Sequence, residues 1–319
     1  MYEKHKLFKY EIYKAFLLNK KIFFKRKKSS NFIKLGLIDT GTYGKVFKIK
    51  KINTNSLYAC KEIRIESKKK KLLFNNFREI NLTLSVIHPN LIFTRGTVLN
   101  KTVDEMIIIL EYCEYDLKSI IESKLKFNLL QIKLMLRQLL RALCILHDNN
   151  IIHRDLKTSN ILLNQKGILK ICDFGMARVF CPLNKNMTQG VITLWYRPPE
   201  ILLGKSKYTK AVDLWSIGCI FAELIFSEVL LPGKSELDQL SKIFFLMGTP
   251  TIDIWINLHS LPTVQKIIFP IHLYSNLSKK FNFSKKSRLL DLLQRFFTYD
   301  PIKRIHVHWA LNHTFFLKK

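Results

Sequence analysis

The sequence predicts an α+β fold in two lobes that together make one domain: a small antiparallel-sheet lobe with one key helix over residues 31–112, and a larger, mainly helical lobe over residues 113–319. Three observations predict it. From Phe32 to about Ile65, apolar residues alternate or fall in short runs around a Gly-Thr-Tyr-Gly turn, the pattern of an antiparallel β-meander. Beyond Tyr112, Ile132, Leu136, Leu139, Leu143 and Leu146 recur at spacings of four and three, which places them on one face of a long amphipathic helix ending near His147. There is no internal repeat, and nine prolines and 11 glycines are too few for a long flexible linker.

The elements follow in chain order. Residues 1–30 carry ten Lys or Arg against two Glu and form a basic extension. Such a run reads either as a nuclear address or as a solvated arm. A helix is expected near residues 73–87 and more strand from Met106 to Leu110. After the long helix, short strands are expected around Ile151, Ile161 to Leu163 and Leu169 to Cys172, before helices resume. The apolar run from Val212 to Leu231 is interrupted by Asp213, Glu223 and Glu228, so it reads as a buried helix and not as a membrane span. The lysine-studded start lacks an uninterrupted apolar segment, so no secretory leader is predicted and the chain is expected to be soluble, with no membrane partner.

Composition narrows the classes further. With 319 residues and 48% hydrophobic content the chain can bury a full core without staples. Its six cysteines are scattered with no C-x-x-C pair, which suggests neither a disulfide framework nor a zinc module and fits a reducing compartment. The formal charge of +29 would attract polyanions. The lysines, however, are spread along the whole chain among abundant Ile, Phe and Asn, and no RNA-recognition or zinc-finger pattern accompanies them. Compositional bias explains the charge better than a nucleic-acid partner does.

Chemistry concentrates in a few segments. Gly41-Thr42-Tyr43-Gly44-Lys45-Val46 joins two strands, and its glycines would let a hairpin lie close over a triphosphate; by itself it is also an ordinary turn, and Asp39 stands where a first glycine is usual. Lys61 closes Tyr58-Ala59-Cys60-Lys61 on a strand, and Glu79 sits on the helix that follows. His153-Arg154-Asp155-Leu156-Lys157-Thr158-Ser159-Asn160 precedes Asp173-Phe174-Gly175. Phosphoryl transfer needs positioning and charge neutralisation, and these segments offer the parts. Asp155 is a carboxylate for the attacking hydroxyl, Lys157 a cation for the transferring phosphate, and Asn160 and Asp173 are oxygen ligands for Mg²⁺. Pro198-Pro199-Glu200 and Asp213-Leu214-Trp215-Ser216-Ile217-Gly218 complete the set.

Together these motifs resemble a protein kinase from about residue 32 to the C-terminus. The resemblance implies a bilobal fold, ATP and Mg²⁺ as cofactors, and transfer of the γ-phosphate to Ser or Thr. It implies that Lys61 holds the α- and β-phosphates and that Glu79 holds Lys61. It implies that Val46, Ala59 and Leu162 line the nucleotide pocket, with Leu110 at the gatekeeper position, Glu111 to Cys113 as the hinge and Asp116 beyond it. Glu200 is expected to pair with Arg304, and Asp213 to cap the backbone of the catalytic loop.

Within the kinases, Phe77-Arg78-Glu79-Ile80-Asn81, Asp116-Leu117-Lys118 and Val191-Ile192-Thr193-Leu194-Trp195-Tyr196-Arg197 look like a cyclin-dependent kinase. The closest similarity is to the PITSLRE branch, which also reads His-Arg-Asp-Leu-Lys-Thr-Ser-Asn, although Leu73 replaces a proline in the motif that names the branch. This implies a cyclin partner, L-type in that branch, that presses the Glu79 helix inward, with the lysines from Lys68 to Lys71 just before it. It implies an activating kinase that phosphorylates Thr188, with Arg78, Arg154 and Arg178 clamping the phosphate, and inhibitory phosphorylation at Thr42 and Tyr43. It also implies Ser/Thr-Pro substrates, a nuclear and also cytoplasmic location, and a role in transcription and RNA processing or in cell-cycle control. A catalytically dead cyclin-binding scaffold is the competing expectation.

Overall fold

The computed structural model describes residues 31–41, 44–64, 82–100, 105–180, 192–281 and 287–317. The basic extension, Thr42, Tyr43, Lys68 to Lys71, Arg78, Glu79, Thr188 and Val191 lie outside the described residues, as does most of the helix expected near residues 73–87; residues 82–85 of it are helical. The chain divides into two compact units. One is formed by the residues before 86 with residues 92–112, the other by residues 86–91 with residues 113–319.

The smaller unit is a five-stranded antiparallel sheet of β1 (Phe32–Gly41), β2 (Gly44–Lys51), β3 (Leu57–Arg64), β4 (Thr94–Asn100) and β5 (Glu105–Glu111), in the order β1-β2-β3-β5-β4. Because strand side chains alternate, β3 feeds both faces. Cys60 packs with Ile49 and Ile109 on one face, and Ile63 packs with Ile108 and Leu84 on the other. Strand β4 was not foreseen from the sequence. Gly96 interrupts its alternation, and the register against β5 shifts between Thr94 and Gly96.

The larger unit is built on two helices. Helix α2 (Leu129–Asp148), preceded by the short α1 (Leu117–Glu122), starts in a capping box in which Asn128 and Gln131 each accept from the other's backbone N–H. It buries Ile132, Leu136, Leu139, Leu143 and Leu146 as the periodicity predicts. The second helix follows α3 (Pro199–Leu202); it is α4 (Ala211–Phe226), buried on nearly every side and packed against α2 and α7 (Arg288–Phe296), while α5 (Glu236–Met247) packs on α3, α8 (Val307–Leu311) packs on α2, and the short α6 (Leu277–Phe281) lies between α5 and α7 in the chain. Among the described residues no helix is long and apolar enough to cross a membrane.

Close packing of α4 rests on Gly218. A Cβ there would lie 2.8 Å from Phe296 Cβ and 2.9 Å from the Phe297 ring, itself edge-on to Trp215 at 4.9 Å. Gly218→Ala gains about 1 kcal/mol of helix propensity, but overpacking costs about 1–3 kcal/mol. The expected result is a net loss of up to about 2 kcal/mol in urea unfolding, with larger residues doing more harm.

Short strands link the helices. β6 (Tyr115–Asp116), β8 (Ile161–Leu163) and β9 (Leu169–Ile171) form one small sheet, and β7 (Ile151–Ile152) pairs with β10 (Arg178–Val179). These pairs bracket the segments that carry the chemistry.

Candidate active site

In the sheet unit, register places the expected nucleotide residues together. Val46 faces Lys61 across β2 and β3, and Ala59 faces Leu110 across β3 and β5. Ala59 and Lys61 are two apart on one strand, so all four share one face of the sheet. At the turn into β2, Gly41 pairs with Gly44. Gly44 sits at φ 145°, and a Cβ there would come within 2.1 Å of Glu62 O, so only glycine lets the hairpin approach β3 this closely. Where the sheet unit ends, Glu111 accepts a backbone bond from Phe93 N at 2.7 Å and returns its own N–H to Phe93 O at 3.0 Å.

In the helical unit the catalytic loop is hung from helix α4. Asp213, in its first turn, is fully buried, and its two carboxylate oxygens accept the backbone N–H groups of His153 and Arg154, both at 2.9 Å; His147 Nε2 is 3.0 Å from Oδ2. Burial pushes this carboxyl up, but the His147 hydrogen bond and the nearby imidazoles outweigh it, so the group lies below its ordinary value. The expected cap on the loop backbone is thus observed. The expected pair Glu200 and Arg304 is observed too, bidentate at 2.7 and 2.8 Å and wholly buried.

The loop in turn grips the Asp-Phe-Gly segment. His153 Nε2 lies 3.0 Å from Cys172 O with its ring edge-on to Phe174, and Arg154 Nε donates to Met176 O at 2.7 Å. Cys172 N donates to Asn160 O at 3.0 Å, which brings Asn160 and Asp173 to adjacent backbone positions. Arg154 and Asp173 both adopt left-handed backbone, at φ 67° and 59°. Such conformations in non-glycine residues cost about 1–3 kcal/mol and persist where surrounding bonds over-determine them.

Asp155 is the centre of this network. Its Oδ1 accepts from Thr193 Oγ1 at 2.7 Å and Thr193 N at 3.2 Å, while its Oδ2 accepts from Lys157 Nζ at 2.9 Å and Asn160 Nδ2 at 3.1 Å. Lys157 also reaches Thr193 Oγ1 at 3.1 Å. Asn160 spends its Nδ2 on Asp155, including the backbone oxygen at 2.8 Å, so its Oδ1 is left as the acceptor. The carboxylate of Asp173, whose Oδ1 is buried, stands next to it in the chain fold. Two hard oxygen donors of this kind suit Mg²⁺, which takes one or two protein ligands and completes its shell with phosphate and water.

Two functional side chains were missed in the sequence. Thr193 bridges Asp155 and Lys157, and Tyr208 accepts from Arg154 Nη1 at 2.7 Å. Burial pulls the Arg178 guanidinium below its ordinary value, with Tyr208 opposing that shift. Both missed residues act through tertiary contacts: Thr193 lies inside the motif of residues 191–197, but its bonds to the catalytic loop form only in the fold, and no local motif marks Tyr208. Asp116 caps α1 by accepting from Ser119 N at 2.8 Å and Ser119 Oγ at 2.5 Å, and it pairs in register with Leu162. Behind the loop, Tyr196 links Thr158 to Glu223, whose carboxyl burial pushes up to about 7.

Residues 32–316 match the family model described as a protein kinase domain. The chain is 44% identical over 283 residues to human cyclin-dependent kinase 11B, covering 88% of this chain and 36% of that protein. It is 43% identical over 291 residues to the Drosophila melanogaster serine/threonine-protein kinase PITSLRE, covering 88% of this chain and 31% of that one. To rice cyclin-dependent kinase G-2 it is 42% identical over 293 residues, covering 89% and 41%. The chain therefore spans about two-fifths or less of the length of these relatives. On the family match and this set of relatives, the chain belongs to the protein kinase family, among the cyclin-dependent kinases of the PITSLRE branch.

Proposed function

We propose that the chain is a cyclin-dependent serine/threonine protein kinase that uses ATP and phosphorylates Ser or Thr followed by Pro. The observation that carries the reading is the Asp155 carboxylate, held by Thr193, Lys157 and Asn160 beside Asp173. Asp155 accepts the proton of the substrate hydroxyl, whose oxygen bonds to the γ-phosphorus as the bond from that phosphorus to the β,γ-bridging oxygen breaks and ADP leaves. Lys157 neutralises charge on the transferring group, and Thr193 fixes both side chains. Asn160 and Asp173 would hold Mg²⁺, which would supply charge neutralisation on the phosphates. In the sheet unit, Lys61 would bind the α- and β-phosphates, Val46 and Ala59 would line the nucleotide pocket, and Leu110 would stand at the gatekeeper position.

Regulation by a cyclin, L-type by analogy with the branch, and by a phosphate on Thr188 rests on the family reading. The buried Arg154 guanidinium, held by Tyr208, and the desolvated Arg178 guanidinium support the second part, since a dianion would offset the burial of both charges. Nuclear action in transcription and RNA processing is inferred from the same branch.

Proline preference has support of its own. Ile192 is β-branched yet sits at φ 71°, and its carbonyl is taken by Arg197 Nε at 3.1 Å and Nη2 at 2.9 Å. An acceptor engaged in this way offers nothing to an amide N–H of the substrate, and proline has none to leave unsatisfied. An unsatisfied N–H costs about 1–3 kcal/mol. With cyclin and Mg-ATP, a peptide with Pro after the phosphoacceptor is expected to outpace its Ala counterpart about tenfold or more. Equal rates would overturn the preference, and no incorporation with any cyclin of the branch would overturn the kinase reading.

A further inference from the structure

A cluster that shares no residue with the catalytic network lies where α2 ends. Cys144 and Asp148 stand four residues apart on that helix, so they project from one face, and His308 of α8 meets both. His308 Nε2 is 2.9 Å from Asp148 Oδ1 and 3.7 Å from Cys144 Sγ, and Cys144 Sγ is 3.5 Å from Asp148 Oδ2. One ligand atom from each residue lies within 4.8 Å of the others. A tetrahedral ion with bonds of about 2.0–2.3 Å holds its ligands roughly 3.3–3.7 Å apart, so these side chains close on one with shifts of about 1 Å.

We propose that Cys144, Asp148 and His308 form a zinc-binding site with its fourth position open to water. The donor set argues for the metal: one thiolate, one imidazole and one carboxylate suit a borderline-soft ion of tetrahedral preference, and Mg²⁺ would reject the sulfur. The ring is already placed, because His308 stacks on His306 at 5.3 Å and its backbone N–H donates to the His306 ring. Lys210, the nearby cation, is engaged with His147 O and with Asn150 Oδ1. In the empty site, burial and then Asp148 push the Cys144 thiol up to about 11. Capture of an ion replaces that proton, which leaves to solvent as the sulfur–metal bond forms.

The site would act as a staple. Asp148 ends the helix that leads through β7 into the catalytic loop, and His308 sits on α8, so a bound ion ties the C-terminal helix to the root of that loop. The full chain, stripped with chelator and free of nucleotide, is titrated with Co²⁺ and then Zn²⁺. The expected result is one equivalent of Co²⁺ with a near-ultraviolet thiolate charge-transfer band, displaced by Zn²⁺, and a Tm that rises with Zn²⁺. Cys144→Ser and His308→Gln should abolish the band and weaken Zn²⁺ at least about tenfold, while Cys172→Ser keeps both. A chain that shows no such band, or a band that survives Cys144→Ser, overturns the proposal. Should Cys144→Ser fail to fold, the isosteric and half-exposed Asp148→Asn decides: Zn²⁺ affinity equal to that of the unaltered chain overturns the site, and about tenfold weakening supports it.

Discussion

Asp155→Asn is expected to lower phosphate transfer by about 10²–10⁴-fold, the range supplied by a positioned general base. The substitution keeps the shape of the side chain and the acceptor that serves Thr193, but it puts an NH₂ where Oδ2 now accepts from Lys157 and Asn160. Two donors then face a third. That loss is local and costs about 1–3 kcal/mol, too little to unfold the lobe, so activity and stability separate. The measurement is kcat on a Ser-Pro peptide with cyclin and Mg-ATP, alongside a thermal melt. Equal incorporation by the variant would remove Asp155 from the mechanism and favour a scaffold without catalysis.

Glu200→Ala should be the most damaging change to the fold, at about 3–5 kcal/mol, because it leaves the Arg304 guanidinium buried without its carboxylate. Adding Arg304→Met removes the charge that Glu200→Ala strands, but it also strands the oxygens of Ala211, Thr298 and Tyr299 that the guanidinium serves. The double variant Glu200→Ala with Arg304→Met is therefore expected to be more stable than Glu200→Ala alone while remaining below the unaltered chain. Urea midpoints of all four proteins close the cycle. A single-variant loss of under about 1 kcal/mol would show that water reaches the pair and that its burial is not the source of its weight.

What the sequence made legible follows from how locally each feature is encoded. Asp155 and Asn160 lie within one loop, and Asp173 follows just beyond β9, so their spacing survives in the linear text. Val46, Ala59 and Leu110 were named through the resemblance, and their shared face with Lys61 follows from the register of β2, β3 and β5. Glu200 and Arg304 are far apart in sequence, and only the resemblance joined them. Thr193 and Tyr208 were hidden for the same reason, since a hydroxyl gains its role from what the returning chain brings to it. Strand β4 was lost to Gly96 and a register shift, where a bulge breaks the alternation on which strand recognition depends. The cluster of Cys144, Asp148 and His308 was equally invisible, because cysteine spacing searches look along the chain and this one forms across two helices.

The carboxylate of Asp213 holds two consecutive amides of the catalytic loop from inside the most deeply buried helix of the unit. A loop fastened in this way has no private equilibrium between open and closed forms. To release His153 and Arg154, the first turn of that helix must give way, and the helix gives way only when its surroundings do. Catalytic geometry and the integrity of the helical unit are thus a single cooperative property.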